Sequence, residues 1–216
     1  MHEDVVKINE IFYSIQGEGP HVGTPTLFYR TQGCDVGCDW CDTKKSWPGD
    51  EGSYYGLDGL KYHLQEGPLS VNPTVEGFHV CITGGEPLQA NLSVLTEFVR
   101  YLRSLNIFTT IETSGVARDT LKAYNFLKEF DCVVMSPKAH MLFNGDFTPL
   151  VHVFKTVVCD TEDIDRALLL QRHCPAKLHY IQPRSNRGEL AKLCIEACKT
   201  HKLKLSMQMH KVLNVR

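Results

Sequence analysis

The sequence predicts an α/β protein in which residues 1–216 form one domain, a partial parallel βα barrel of about six units. Three observations carry that expectation. Short apolar runs at 79–83, 107–112, 132–136, 151–158, 178–182 and 203–207 have the length and β-branched content of buried strands. Between them, at 92–105, 118–130, 161–173 and 187–202, apolar residues recur near helical spacing. Strand and helix in alternation imply right-handed crossovers and a parallel sheet, and a full eight-unit barrel takes ~250 residues, more than the 216 present.

Upstream of that regular stretch the pattern is looser. Residues 5–13 read as a strand, and Gln16-Gly17-Glu18-Gly19-Pro20 follows as a turn that can approach a ligand closely. Residues 26–31 read as a buried strand with one anomaly, Arg30, whose fork could grip a carboxylate. Residues 44–75 are rich in Gly, Pro, Asp and Ser, with a weak helical pattern at 57–65, the kind of region where substrate-specific elaboration sits.

Composition narrows the function. A 43% hydrophobic chain can bury one sizeable core. Formal charge is -2 and the basic residues are dispersed, which argues against nucleic acid or an anionic membrane as partner and for a small ligand. The first ten residues hold no apolar core of a signal peptide, and no run reaches the about 18 apolar residues of a membrane span. A cytoplasmic setting follows, in which the nine cysteines are thiols or metal ligands.

Three of them, Cys34, Cys38 and Cys41, stand in the spacing Cys-x3-Cys-x2-Cys directly after the strand that ends at 31. One loop can aim three thiolates at a single centre, and no fourth ligand is near. Three thiolates on a four-iron cluster leave one iron open to a chelating small molecule. A zinc site would need a distant fourth ligand, and disulfides fit neither the odd cysteine count nor the spacing. Trp40 can shield such a cluster from water. Cys81 and Cys132 lie in apolar runs and read as core, as do Cys159 and Cys174 beside a helix. Cys194 and Cys198 share a helix face without further ligands.

In parallel α/β folds, ligands sit at the carboxyl ends of the strands. Here those ends carry Thr83-Gly84-Gly85-Glu86-Pro87, Glu112-Thr113-Ser114-Gly115, Ser136-Pro137-Lys138 and Gln182-Pro183-Arg184-Ser185. Glu86 offers a carboxylate for an amino group, though a glycine-proline turn opening a helix is common in its own right. Together the four ends make a polar rim around one mouth. His210 is a further candidate near the last strand. No side chain stands out as general acid or base, so the catalytic residues are unassigned.

Cys34-x3-Cys38-x2-Cys41 with Gly84-Gly85-Glu86-Pro87 resembles the radical S-adenosylmethionine enzymes, whose fold is a full or partial βα barrel. More narrowly, Gln16 to Gly19, Arg30 to Cys34, Cys41 to Thr43, Ile82 to Pro87, Ile111 to Gly115, Ser136 to Lys138 and Leu205 to Asn214 resemble the 7-carboxy-7-deazaguanine synthase family of queuosine biosynthesis over nearly the full length. The resemblance implies a carbon-nitrogen lyase with a [4Fe-4S] cluster on Cys34, Cys38 and Cys41. S-adenosylmethionine would chelate the open iron and contact Gly85, Ser136, Pro137, Lys138, Gln182, Pro183, Arg184 and Ser185. A 5'-deoxyadenosyl radical would take hydrogen from 6-carboxy-5,6,7,8-tetrahydropterin, whose ring contracts with loss of ammonia. Ile15, Gln16, Gly17, Arg30, Thr83 and the terminal Arg216 match substrate positions, and Thr43 matches a Mg2+ ligand, completed by substrate oxygen and waters. A homodimer and a reductant such as flavodoxin are also implied. Met209 stands where the family pattern has threonine, and 44–75 matches only loosely. Two alternatives stay open at this point: a glycyl-radical-enzyme activase with the same cysteine spacing, and a non-catalytic iron-sulfur protein.

Overall fold

The structure is a computed structural model that describes residues 4–65, 78–139, 144–175 and 177–215. Its strands are β1 (Val6–Ile15), β2 (Pro25–Thr31), β3 (Ser53–Tyr55), β4 (His79–Gly84), β5 (Phe108–Thr113), β6 (Cys132–Met135), β7 (Val153–Val158), β8 (Leu178–Pro183) and β9 (Lys204–Leu205). They form one sheet in the order β3-β1-β2-β4-β5-β6-β7-β8-β9, parallel from β2 to β9. Helices α1 (Leu57–Gln65), α2 (Leu92–Ser104), α3 (Thr120–Leu127), α4 (Thr161–His173) and α5 (Gly188–Thr200) connect the parallel strands, and α6 (Met209–Leu213) follows β9.

The helices cover one face of the sheet because their sequences are striped. In α2, Leu95, Phe98, Val99 and Leu102 recur at i, i+3, i+4 and i+7 and are fully buried. Each such side chain contributes about 1.5–3 kcal/mol through burial. Phe98 meets the ring of Tyr29 on β2 edge to face at 4.8 Å, and the Asn91 side chain caps the helix by accepting from the Ser93 N–H at 3.2 Å. Asp119 accepts from the Lys122 N–H at 3.0 Å, so α3 opens at Thr120, inside the periodic stretch that begins at 118.

The other face lines the barrel interior. Strand alternation of period two directs Phe28, Cys81, Thr110 and Cys132 there as one hydrogen-bonded row, which confirms Cys81 and Cys132 as core. Two residues further along, Arg30, Thr83, Glu112 and Val134 form the next layer and border a cavity. The open sheet curls until its ends meet: the Met209 N–H donates to the Gly17 carbonyl at 3.0 Å, and the Gly19 N–H to Ser206 Oγ at 3.1 Å. The chain is therefore a partial barrel whose open side is crossed by the turn after β1 and the segment after β9.

One detail lay outside the sequence reading and two depart from it. β1 pairs antiparallel with β2 and β3, because a hairpin, not a crossover, joins it to β2. Strand and helix do not alternate throughout: the described part of the β6–β7 connection holds a 3-10 turn, Gly145–Leu150. The last strand is only Lys204–Leu205. Ser206 donates the final rung to Ile181 O at 2.9 Å, after which Asn186 takes both the N–H and the carbonyl of Gln208 at 2.9 Å each and turns the chain into α6.

The turn after β4 is fastened to the loop after β2. Gly85 N–H donates to Thr31 O at 3.1 Å and Glu86 N–H to Gly33 O at 2.9 Å. This contact requires glycine at 85, since a Cβ there would collide with the Gly33 carbonyl oxygen. Gly85→Ala is expected to cost about 1–3 kcal/mol of stability, read as a lower urea midpoint, with reduced iron uptake; an unchanged midpoint would mean the two loops have room to part.

Candidate active site

At the carboxyl ends of the parallel strands lies a cavity of about 420 Å³. All three motif cysteines line it, although only Cys38 is buried. The Cys41 N–H donates to Cys38 O at 3.0 Å, closing the Cys-x2-Cys turn, and the Thr43 N–H donates to Cys41 Sγ at 3.4 Å. The loop is pinned outside as well: Asp35 N–H donates to Gln89 Oε1 at 3.0 Å, and Arg118 pairs with the Asp35 carboxylate at 2.9 Å.

The donor set fits a multi-iron cluster. Thiolates on a single tetrahedral ion at ~2.3 Å would lie about 3.8 Å apart. Among the described residues no three His, Cys, Asp or Glu side chains converge as ligands of one ion, whereas three thiols lining one cavity suit the separate irons of a cluster. Burial pushes the Cys34 and Cys38 thiols up, while the Lys138 ammonium near Cys38 favours its thiolate. Lys138 itself is lowered by burial, lies 5.1 Å over the Trp40 ring and donates to Ser136 Oγ at 2.9 Å.

The floor is polar and charged. Gln16 Nε2 and Thr83 Oγ1 both donate to the Glu112 carboxylate at 3.2 Å. Arg30 Nε donates to Glu10 at 2.9 Å, its Nη1 to Gly84 O at 3.3 Å, and its guanidinium lies 5.7 Å from the Phe12 ring centre. Glu18 accepts from Lys155, a lysine in the middle of the apolar strand β7. Burial favours the neutral acid at Glu18, but the charge and hydrogen bond of Lys155 outweigh it and lower the pKa. Burial likewise opposes the Lys155 ammonium, and the charges of Glu18 and Glu112 reverse that, leaving it raised.

Of the positions expected to touch substrate, Ile15, Gln16, Gly17, Arg30 and Thr83 border the cavity; Arg216 lies outside the described residues, as do 66–75 of the 44–75 region. Of those expected to touch S-adenosylmethionine, Gly85, Ser136, Lys138, Gln182, Arg184 and Ser185 border it, while Pro137 and Pro183 do not. At both prolines the inward-facing neighbours, Ser136 with Lys138 and Gln182 with Arg184, take the lining positions. Thr43 is on the rim beside Cys41. Glu86 is fully committed inside the fold, accepting from Leu88 N at 3.0 Å, Ser114 N at 2.7 Å, Ser114 Oγ and Thr113 Oγ1, and burial raises its pKa. It holds the glycine turn in place and is not free to grip an amino group. His210 packs against Gly17, where a Cβ would strike its ring. Glu112, expected in the polar rim, and Glu18, expected in the ligand-approaching turn, both line the cavity, whereas sequence reasoning gave Lys155, Gln208 and Lys211 no individual part in it; a charged residue inside the run Val153–Val158 was the one available signal for Lys155.

The model of the 4Fe-4S single cluster domain family matches residues 15–146. The 7-carboxy-7-deazaguanine synthase of Escherichia coli K12 is 33% identical over 231 residues, spanning 96% of this chain and 98% of its own. The chain belongs to the 7-carboxy-7-deazaguanine synthase family. The Synechocystis synthase is 32% identical over 97% of this chain and 93% of its own. Among solved structures, QueE from Escherichia coli superimposes with a TM-score of 0.77 at 27% identity over 95% of both chains. Streptococcus suis SuiB bound to S-adenosylmethionine shares the fold alone, with a TM-score of 0.56 at 13% identity over 83% of this chain and 49% of that one. With 96% of this chain spanned, the synthase match takes in the cysteine loop.

Replacing Lys155 by methionine would leave Glu18 buried beside no cation, a loss of about 3–5 kcal/mol at pH 7. Glu18's folded pKa lies below its ordinary 4.5, so the pair's contribution is present above that value and is lost as pH falls through the folded pKa. The stability gap between wild type and Lys155→Met, measured by urea unfolding, is expected to narrow as pH falls, because burial without the lysine makes Glu18 of the variant take up its proton at a higher pH than in the wild type; a gap that does not depend on pH would contradict the pairing.

Proposed function

We propose that the chain converts 6-carboxy-5,6,7,8-tetrahydropterin to 7-carboxy-7-deazaguanine with loss of ammonia, as a radical S-adenosylmethionine enzyme of queuosine biosynthesis. One observation carries the reading: the three motif thiols and a floor of Gln16, Arg30, Thr83 and Glu112 share a single cavity, in a chain collinear with the synthases. When bound, the cluster and S-adenosylmethionine supply the one-electron step that opens the radical chemistry.

The chain's own side chains do the rest. Cys34, Cys38 and Cys41 hold the cluster. Gly85, Ser136, Lys138, Gln182, Arg184 and Ser185 border the adjoining space for S-adenosylmethionine. The Arg30 guanidinium, steadied by Glu10, supplies a positive charge for the pterin carboxylate, and Glu112 with Gln16 offers acceptors and donors for the ring edge. Thr43 gives magnesium one neutral oxygen, which suits an ion completed by substrate and water; Arg216 is assigned to substrate by the family pattern. A homodimer, a reductant such as flavodoxin and a cytoplasmic setting belong to the same reading. None of the nine cysteines is in a disulfide, which suits a reducing compartment, and no helix among the described residues is long and apolar enough to cross a membrane.

Anaerobic incubation of the reconstituted, reduced protein with S-adenosylmethionine, Mg2+ and the carboxypterin is expected to give 7-carboxy-7-deazaguanine by mass spectrometry. Accumulation of 5'-deoxyadenosine without that product would replace the pterin with another substrate, and neither product from an intact cluster would remove the enzyme assignment. Cys38→Ala should lose at least tenfold of its iron and all turnover. Thr43→Ala should keep the cluster absorbance while requiring about tenfold more Mg2+ for half-maximal rate; a wild-type Mg2+ response there would exclude Thr43 as ligand.

A further inference from the structure

Gln208, between β9 and α6, is 7% exposed and joins parts of the site that are far apart in sequence. Its Nε2 donates to Glu18 Oε1 at 3.0 Å and to Asp42 Oδ2 at 3.1 Å. Its Oε1 accepts from Lys211 Nζ at 2.9 Å, and the same ammonium pairs with Asp42 Oδ2 at 2.9 Å. Its backbone N–H and carbonyl are both held by Asn186. These partners fix the amide in one orientation, because a flipped group would face its carbonyl toward two carboxylates and its NH2 toward an ammonium. Each amide hydrogen thus has its own carboxylate, and the carbonyl its own cation.

The two carboxylates belong to different working parts. Glu18 follows Gln16 and Gly17 in the turn that crosses the barrel and is anchored from below by Lys155. Asp42 stands between Cys41 and Thr43 on the cluster loop. The next residue of the strap, Met209, holds the Gly17 carbonyl. We propose that Gln208 is a positioning residue of the synthase reaction: it sets the turn that receives the pterin against the Thr43 hydroxyl that receives magnesium, so that both ligands of one substrate complex are aligned through one side chain. The inference rests on the function proposed above and assigns Gln208 no contact with substrate. Its consequence is coupling: loosening Gln208 weakens pterin and Mg2+ together and leaves cluster and S-adenosylmethionine binding alone. A plain folding role would lower all four.

The test uses the anaerobic holoprotein and three variants, measuring iron content, the S-adenosylmethionine dissociation constant, and the dissociation constants of carboxypterin and Mg2+ by calorimetry. Gln208→Glu keeps the shape and sets a carboxylate against Glu18 and Asp42. It is expected to weaken carboxypterin and Mg2+ each about tenfold, with iron and S-adenosylmethionine affinity within twofold of wild type. Lys211→Met, at a side chain 34% exposed, should move the same two constants in the same direction by a smaller factor, and Lys211→Arg should restore them. Wild-type pterin and Mg2+ affinities in Gln208→Glu would overturn the inference. Should that variant fail to hold its cluster, wild-type affinities in Lys211→Met would overturn it equally. A wild-type protein that binds no carboxypterin would instead overturn the functional reading beneath it, an outcome separable because it appears before any substitution is made.

Discussion

The ion pair between Glu18 and Lys155 is the constraint on which the site depends. A partial barrel has an open side, and its interior must be filled by something other than a closing strand. Here the turn after β1 enters that space. It brings one carboxylate to a lysine on β7, sets His21 edge-on against the rings of His79 and Phe108 at 5.0 and 5.1 Å, and offers Gln16 to Glu112. Two charges buried this deeply cost several kcal/mol each in desolvation and persist only when paired and hydrogen-bonded. The pair therefore specifies where the turn sits more than it adds net stability, and Gln16 and Gly17 reach the cavity as a result.

A second constraint is the close approach of two loops. The cysteine loop and the glycine turn after β4 are joined backbone to backbone, with Glu86 sealed behind them by Thr113 and Ser114. The thiols and the space for a chelating cofactor are thus set by the same hydrogen bonds. With the strap from Ser206 to Val215 across the open side, the loop, the turn and the strap enclose one cavity, which is why the synthase reading needs no second site.

Much of this was legible in the sequence. The parallel strands from β4 to β8 and the helices between them follow from apolar runs and helical stripes, and the three cysteines declare themselves by spacing. The direction of β1 was not legible, because an alternating strand reads the same either way and only the hairpin decides it. Glu86 looked like a free carboxylate at a strand end; its four donors come from the last residue of β5, the residue after it and its own turn, and are invisible along the chain. Glu18 and Lys155 lie 137 positions apart, so neither announces the other, although a lysine inside Val153–Val158 signals a buried partner. Gln208 lies in a segment that resembles the family, but nothing along the chain gives it a role, since a glutamine after a strand is ordinary until Glu18, Asp42 and Lys211 are placed around its amide.

The central claim is that the cluster loop, the inserted turn and the C-terminal strap form one pterin site. Amide hydrogen exchange on the anaerobic, S-adenosylmethionine-loaded protein, with and without carboxypterin and Mg2+, tests it most directly. The account predicts slower exchange in residues 16–24, 41–47 and 206–215 together when the pterin is added. Protection confined to a different surface, with these three segments unchanged, would contradict it.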